Sequence, residues 1–389
     1  MYDQNPSRKA VIVGVATTDF ASIYRDRDPF RTEYALGIEA LSLALDDAGL
    51  TTADIDGVLT CRIPSYETFG TMAGIKHPNV VNAYEGSGRM AGVAVQQAVA
   101  LIEAGLATTI ALVYGNNGRA VGMTYGGDSG GSSAYNAATN NALYDLAYGM
   151  TSPGAYVSMM YQRYTHDYSV PDGALAPLAL NNRENARRNP VAVMQKPLTE
   201  QEYLESRFIA EPLRLYDYCM INDGGVAMIV TTEERARDLK KPAVSIVATA
   251  ASSDLGPYYT KEDFFKEPSV RVARALREKS GLGPQDIDAV QIYDNFTPVI
   301  LFSLEHFGFA DEGDGWQFIR DGRIALDGEL PVNTSGGHTS EGYMQGWGLQ
   351  VEAVRQLRGE GGERQVSDCD TAQYICVSPI VTSHILQRA

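Results

Sequence analysis

The chain opens on Ala10-Val11-Ile12-Val13-Gly14-Val15, an apolar, β-branched run interrupted only by glycine. Such a run suits a strand covered on both faces better than a half-exposed one, and predicts the start of an α/β unit. Leu41, Ala44, Leu45 and Ala48 then recur at i, i+3, i+4 and i+7, the stripe of a helix docked on a sheet. Gly49 follows where a left-handed cap would end that helix, and residues 49–59 turn into a second strand.

That phrase returns late in the chain. Gly49-Leu50-Thr51-Thr52-Ala53-Asp54-Ile55-Asp56-Gly57-Val58 is echoed by Gly281-Leu282-Gly283-Pro284-Gln285-Asp286-Ile287-Asp288-Ala289-Val290, again behind a helical stretch. A second echo relates the helical pattern of 92–105 to that of 349–359, each after a glycine-rich turn. Two echoes in the same order predict a duplicated α/β unit. Between the halves, residues 115–151 are rich in Gly, Asn, Ser and Tyr and read as loops. Nine tyrosines lie from Tyr114 to Tyr168, alongside Met150, Met159 and Met160. This stretch is expected to line a pocket for a bulky ligand, form a subunit interface, or pack as core. The expected division is a first half beginning in 1–115, an inserted loop domain over 116–215, completion of the first half in 216–242, and a second half over 243–389.

Composition narrows the function. With 389 residues, 44% hydrophobic and 21% charged, the chain is long and apolar enough to bury a large core. A formal charge of −16 with scattered basic residues argues against nucleic-acid binding. Cys61, Cys219, Cys369 and Cys376 form no CxxC pair, which disfavours a disulfide framework or a structural zinc and points to a reducing cytoplasm. The polar first nine residues lack a signal-peptide core, and no stretch is apolar enough for a membrane span.

Candidate chemistry gathers late. Gly86-Ser87-Gly88-Arg89-Met90-Ala91-Gly92 follows a strand expected over 79–83, but its GxGxxxG spacing is one residue too long for a dinucleotide fingerprint. It still offers the amides of a helix N-terminus to developing negative charge. No histidine pair has metal spacing and no GxSxG elbow is present. The most informative stretch, residues 333–348, places Gly336, Gly337, His338, Gly342 and Tyr343 in a turn of little bulk, which a ligand can approach closely. It pairs with Tyr293-Asp294-Asn295-Phe296, just past the second repeated strand, where chemistry gathers in such sheets.

Over nearly its whole length the chain resembles the thiolase superfamily, in the branch related to the thiolase half of sterol carrier protein x. The resemblance rests on residues 10–14, 48–58 and 92–105, on Glu211-Pro212-Leu213-Arg214-Leu215 with Asn222-Asp223-Gly224-Gly225-Val226-Ala227, and on the turn and helix over 333–359. It implies an α/β fold of duplicated halves in a five-layered αβαβα body with an inserted loop domain. The departures carry the functional reading. The family's nucleophilic cysteine corresponds to Gly88, the histidine of its GHPxG turn to Tyr343, and the histidine of the branch's HDCF motif to Tyr293. Cys376, outside any glycine-rich signature, is expected to be structural.

Without a thiolate, acyl transfer through a covalent thioester has no nucleophile. Tyrosines at both histidine positions resemble the thiolase-like aldolases of bacterial steroid side-chain degradation. The resemblance implies retro-aldol cleavage of a β-hydroxyacyl-CoA, a 17-hydroxy steroid with a three-carbon CoA side chain, to a 17-ketosteroid and propionyl-CoA. Tyr293 is assigned to the β-hydroxyl proton and Tyr343 to the enolate, the two roles being exchangeable. Gly88, Asp294, Asn295, Gly337, His338 and Gly342 are expected to bind substrate or support the site. No metal and no resident cofactor are expected; coenzyme A enters as part of the substrate. The resemblance further implies a homodimer core joined by OB-fold partner chains in a heterotetramer. Two other functions fit the sequence: a different carbon–carbon bond reaction of an acyl-CoA, and a non-catalytic acyl-CoA-binding or scaffold subunit.

Overall fold

A computed structural model of the chain describes residues 8–123, 152–255 and 263–389. Eleven strands are present among the described residues: β1 (Ala10–Thr17), β2 (Gly57–Cys61), β3 (Val80–Tyr84), β4 (Thr109–Asn116), β5 (Phe208–Ala210), β6 (Leu213–Arg214), β7 (Gly224–Thr232), β8 (Val244–Ser253), β9 (Ala289–Ile292), β10 (Thr371–Cys376) and β11 (Ile380–Arg388). Nine of them run in the order β3-β2-β4-β7-β1-β8-β11-β10-β9, and β5 and β6 form a separate hairpin.

The order is symmetric about its centre. In the first half β2 lies parallel to β3 and β4, and β7 runs antiparallel to β4 and β1. In the second half β9 lies parallel to β10, and β11 runs antiparallel to β10 and β8. The counterpart of β3 has shrunk to a single parallel bridge between Val290 and Val332. A two-residue antiparallel contact, Val11 with Ser245 and Ile12 with Val244, joins the halves.

The two Asp-Ile-Asp phrases explain why the halves fold alike. Asp56 accepts the Thr108 and Thr109 amides at 2.7–3.0 Å and so fastens the start of β4. Asp288 accepts the Asp370 and Thr371 amides at 2.9 and 2.8 Å and fastens the start of β10. The first aspartate of each phrase does matching work: Asp54 accepts the Thr51 amide and Asp286 the Gly283 amide, each at 2.8 Å, closing the short turn that enters the strand. One local solution is used twice.

Helices cover the strands in layers. Glu33–Ala48, capped by the Thr32 hydroxyl and ended by Gly49 at φ +74°, lies on β1, β4 and β7. Lys266–Ser280 lies on β8 and β11. Arg89–Glu103 and Trp347–Leu357 form the middle layer, each touching strands of both halves. The arrangement is the five-layered αβαβα body expected from sequence. β1 is buried along its whole length because helices cover both its faces, although its two neighbours are antiparallel.

The Tyr- and Met-rich stretch divides. Tyr114, Met160, Tyr161 and Tyr164 are core, whereas Met159 stands half exposed on the same helix, Pro153–Asp167. Tyr156 is partly buried on that helix and Tyr168 is exposed at its end, while Tyr125, Tyr135, Tyr144, Tyr148 and Met150 lie outside the described residues. Among the described residues no helix is long and apolar enough to cross a membrane, and no group of His, Cys, Asp or Glu could hold a metal ion.

Candidate active site

Strand β9 ends at Ile292 and delivers Tyr293 and Asp294 at its carboxyl end. Tyr293 continues the ladder by donating its amide to Ile375 at 2.8 Å, so its ring is fixed relative to the neighbouring strand. Residues 333–346 fold over this end. Asn333 clamps the strand through both amide atoms of its side chain, accepting from the Ile292 amide at 2.7 Å and donating to the Ile292 carbonyl at 2.9 Å. Residues Gly337–Glu341 then form one wide turn, closed by i+5 bonds from the Glu341 and Gly342 amides to the Gly336 and Gly337 carbonyls. Gly337 sits at φ +61°, and a Cβ there would stand 2.3 Å from Asp294 Oδ2, so both conformation and space require glycine.

The turn brings two phenols together. The hydroxyls of Tyr293 and Tyr343 lie 2.8 Å apart, a direct hydrogen bond inside the protein. The Tyr343 amide donates to Asn222 Oδ1 at 2.6 Å, which fixes the second phenol from the first half of the chain. Gly342 packs beside the same asparagine, where a Cβ would lie 3.0 Å from Asn222 Nδ2. Burial pushes the Tyr293 phenol well above its ordinary range, and a negative charge on Tyr343 would push it further. Tyr293 is therefore a neutral phenol.

His338 is committed elsewhere. Its Nε2 accepts the Gly346 amide at 2.9 Å, and its Nδ1 lies 3.1 Å from Asp294 Oδ1 and 3.3 Å from the Asp294 amide nitrogen. Asp294 also accepts the His338 amide at 2.8 Å and the Asn182 side chain at 2.8 Å. The imidazole stands edge-on to both phenols, with ring centroids 4.8 Å from Tyr293 and 5.1 Å from Tyr343. It supports the pair as a wall.

Gly88 caps the helix Arg89–Glu103 directly against Tyr293. Asn295 is the sequence-assigned residue that no described side-chain bond ties to the cluster; its carbonyl accepts the Cys219 amide at 2.9 Å and its side chain is partly exposed.

Sequence reasoning missed several neighbours. Cys376, expected to be structural, packs with Tyr374 and Leu349 against the two phenols, and Cys219 and Met220 close the same cluster. The signal was available: Tyr374 and Cys376 are two apart at the end of β10, so they share the face toward the site. Burial pushes the Cys376 thiol up to about 12, and burial together with the Asp294 carboxylate also drives Cys219 upward. Cys61, below the turn at 85–87, is likewise pushed up to about 12 by burial. These thiols are protonated near neutrality and none is poised as a thiolate nucleophile.

Glu341 anchors the turn from behind. It accepts Ser335 Oγ at 2.6 Å and Asn189 Nδ2 at 3.1 Å, while Glu352 pairs with Arg364 through two bonds of 3.0 Å. Burial, then the nearby Glu352 charge, raises Glu341 to about 7.

Known proteins resemble this chain in sequence and in fold. Residues 250–386 match the family model described as thiolase C-terminal domain-like. A 17-hydroxy-3-oxo-4-pregnene-20-carboxyl-CoA lyase from Mycobacterium tuberculosis is 36% identical over 369 residues, covering 91% of this chain and 92% of that protein. A steroid side-chain-cleaving aldolase from Thermomonospora curvata is 34% identical, covering 90% of each chain. Among solved structures, an Ltp2-ChsH2(DUF35) aldolase superposes with a TM-score of 0.87 at 32% identity, covering 98% of both chains. Human mitochondrial 3-ketoacyl-CoA thiolase, at 15% identity and a TM-score of 0.70, shares the fold over 98% of this chain and 99% of its own. On these matches the chain belongs to the thiolase superfamily, in the branch that holds the thiolase-like aldolases.

Proposed function

We propose that the chain is an aldolase that cleaves the Cα–Cβ bond of a β-hydroxyacyl-CoA without a covalent enzyme intermediate. The observation that carries this reading is the bond between Tyr293 and Tyr343 in a site with no side chain at position 88. The relatives' names support a steroid substrate. The proposed reaction takes a 17-hydroxy steroid with a three-carbon CoA side chain to a 17-ketosteroid and propionyl-CoA.

The phenol pair suits the proton balance of that reaction. The β-hydroxyl loses a proton, the Cα–Cβ electrons pass to the thioester as an enolate, and Cα gains a proton. A buried phenolate is costly, so Tyr293 acts as a relay. It accepts the β-hydroxyl proton as its own passes to Tyr343, and Tyr343 delivers a proton to Cα. One proton moves from oxygen to carbon across two bonded phenols, and neither ring holds a full charge. The Gly88 and Arg89 amides at the start of Arg89–Glu103 are the donors proposed for the enolate oxygen, those of Met90 and Ala91 being bonded to the Ser87 and Gly88 carbonyls.

The resemblance to an Ltp2-ChsH2(DUF35) aldolase supports a partner chain, with an OB-fold protein completing a heterotetramer around a homodimer of this chain. The acidic composition and the four cysteines without CxxC spacing support a cytoplasmic setting. The direct test mixes the purified chain, alone and with its partner, with the 17-hydroxy steroid thioester. Ketone and propionyl-CoA are expected in equal amounts; no ketone release under either condition would exclude the lyase.

A further inference from the structure

Gly88 has an ordinary backbone. At φ −57° and ψ −36° it lies in the helical region open to every residue. Conformation therefore gives no reason for glycine at this position. Space does: a Cβ built on Gly88 would stand 2.2 Å from Tyr293 Cζ and 2.3 Å from its Cε2 and hydroxyl oxygen. The ring cannot simply swing clear. Its backbone is tied to Ile375, its hydroxyl to Tyr343, its face to the edge of His338, and a Cβ on Gly346 would already lie 3.3 Å from Cδ2.

Resting on the aldolase reading above, we infer that Gly88 is a positioning residue that selects the reaction: the space left by its missing side chain is the seat of the Tyr293 phenol. Any side chain at position 88 displaces that ring and breaks the Tyr293–Tyr343 bond. The seat lies at the first turn of a helix, where peptide amides lower the pKa of an attached thiol and would activate a nucleophile carried by residue 88. The seat holds either such a nucleophile or the phenol. Covalent acyl transfer and proton relay are alternative uses of one volume, and the glycine commits this chain to the second.

A stability and activity cycle tests the inference. Gly88→Ala, Tyr293→Ala and the double variant are prepared in the full chain with its partner, and Tm, kcat and KM are measured. Gly88→Ala is expected to lower Tm by several degrees and kcat by at least a hundredfold, with KM changed less than threefold. In the Tyr293→Ala background the same substitution is expected to leave Tm unchanged or raised, because the clash has gone. If Gly88→Ala does not fold, a folded double variant supports the seat, and a double variant that also fails overturns it. Gly88→Ala with unaltered Tm and kcat overturns the inference while leaving the aldolase reading intact. If the parent chain cleaves no β-hydroxyacyl-CoA, the aldolase reading fails and the Tm cycle still decides whether Tyr293 occupies the seat.

Discussion

Asp294 Oδ1 stands 3.1 Å from Nδ1 of His338, and both side chains are almost completely excluded from solvent. The pair holds the wide turn against the end of β9, because the same oxygen accepts the His338 amide. His338→Ala would leave a buried carboxylate short of one partner. A loss of about 3 kcal/mol is expected, on the scale of emptying a buried site and leaving its polar groups short of a partner. Urea unfolding checks it: an unchanged midpoint would mean the turn does not depend on the imidazole.

The two phenols are expected to fail together. Tyr293→Phe and Tyr343→Phe should each lower kcat by about a hundredfold or more, the scale of general acid–base catalysis. The double variant should be little worse than either single change, because one relay is broken in all three. Additive losses in single-turnover cleavage would show two independent roles.

Stability should fall as pH rises through the weakly acidic range. The folded Glu341 carboxyl titrates near 7, above its ordinary 4.5, so between those values the folded chain holds a proton that the unfolded chain has released. The folded state is therefore penalised progressively from about pH 4.5 to about pH 7, by about 3 kcal/mol in all. Asp217, raised to about 6 by burial, adds to the lower part of the same slope. Glu341→Gln should flatten the upper part of the curve in urea melts at stepped pH; an unaltered slope would place the titration elsewhere.

The twin aspartates offer a separate check on the duplication. Asp56→Ala and Asp288→Ala each orphan two amides at the start of a strand, at an expected cost of about 2 kcal/mol. They share no partner, so the double variant should lose the sum within about 0.5 kcal/mol. A large departure from additivity in the melts would show that the halves are coupled through these strand starts.

Much of the fold was legible because its signals are local. The stripe ending at Gly49, the two Asp-Ile-Asp phrases and the repeated helices have meaning within a dozen residues, where helix and strand periods and turn chemistry act. The placement of Tyr293 just past a strand was legible for the same reason. The packing of Cys376 against the two phenols was not, since those rings come from the segment just after β9 and from the 333–346 turn.

The sequence by itself determined that the chain folds as two like α/β halves, that position 88 carries no side chain, and that Tyr293 stands just past a repeated strand. Tertiary structure decided the rest. It joined two hydroxyls 50 residues apart, turned both nitrogens of His338 away from them, and set the ring of Tyr293 in the space beside Gly88. Hydrogen bonds and excluded volume between distant segments depend on how the layers close on one another, and no short-range pattern along the chain encodes that.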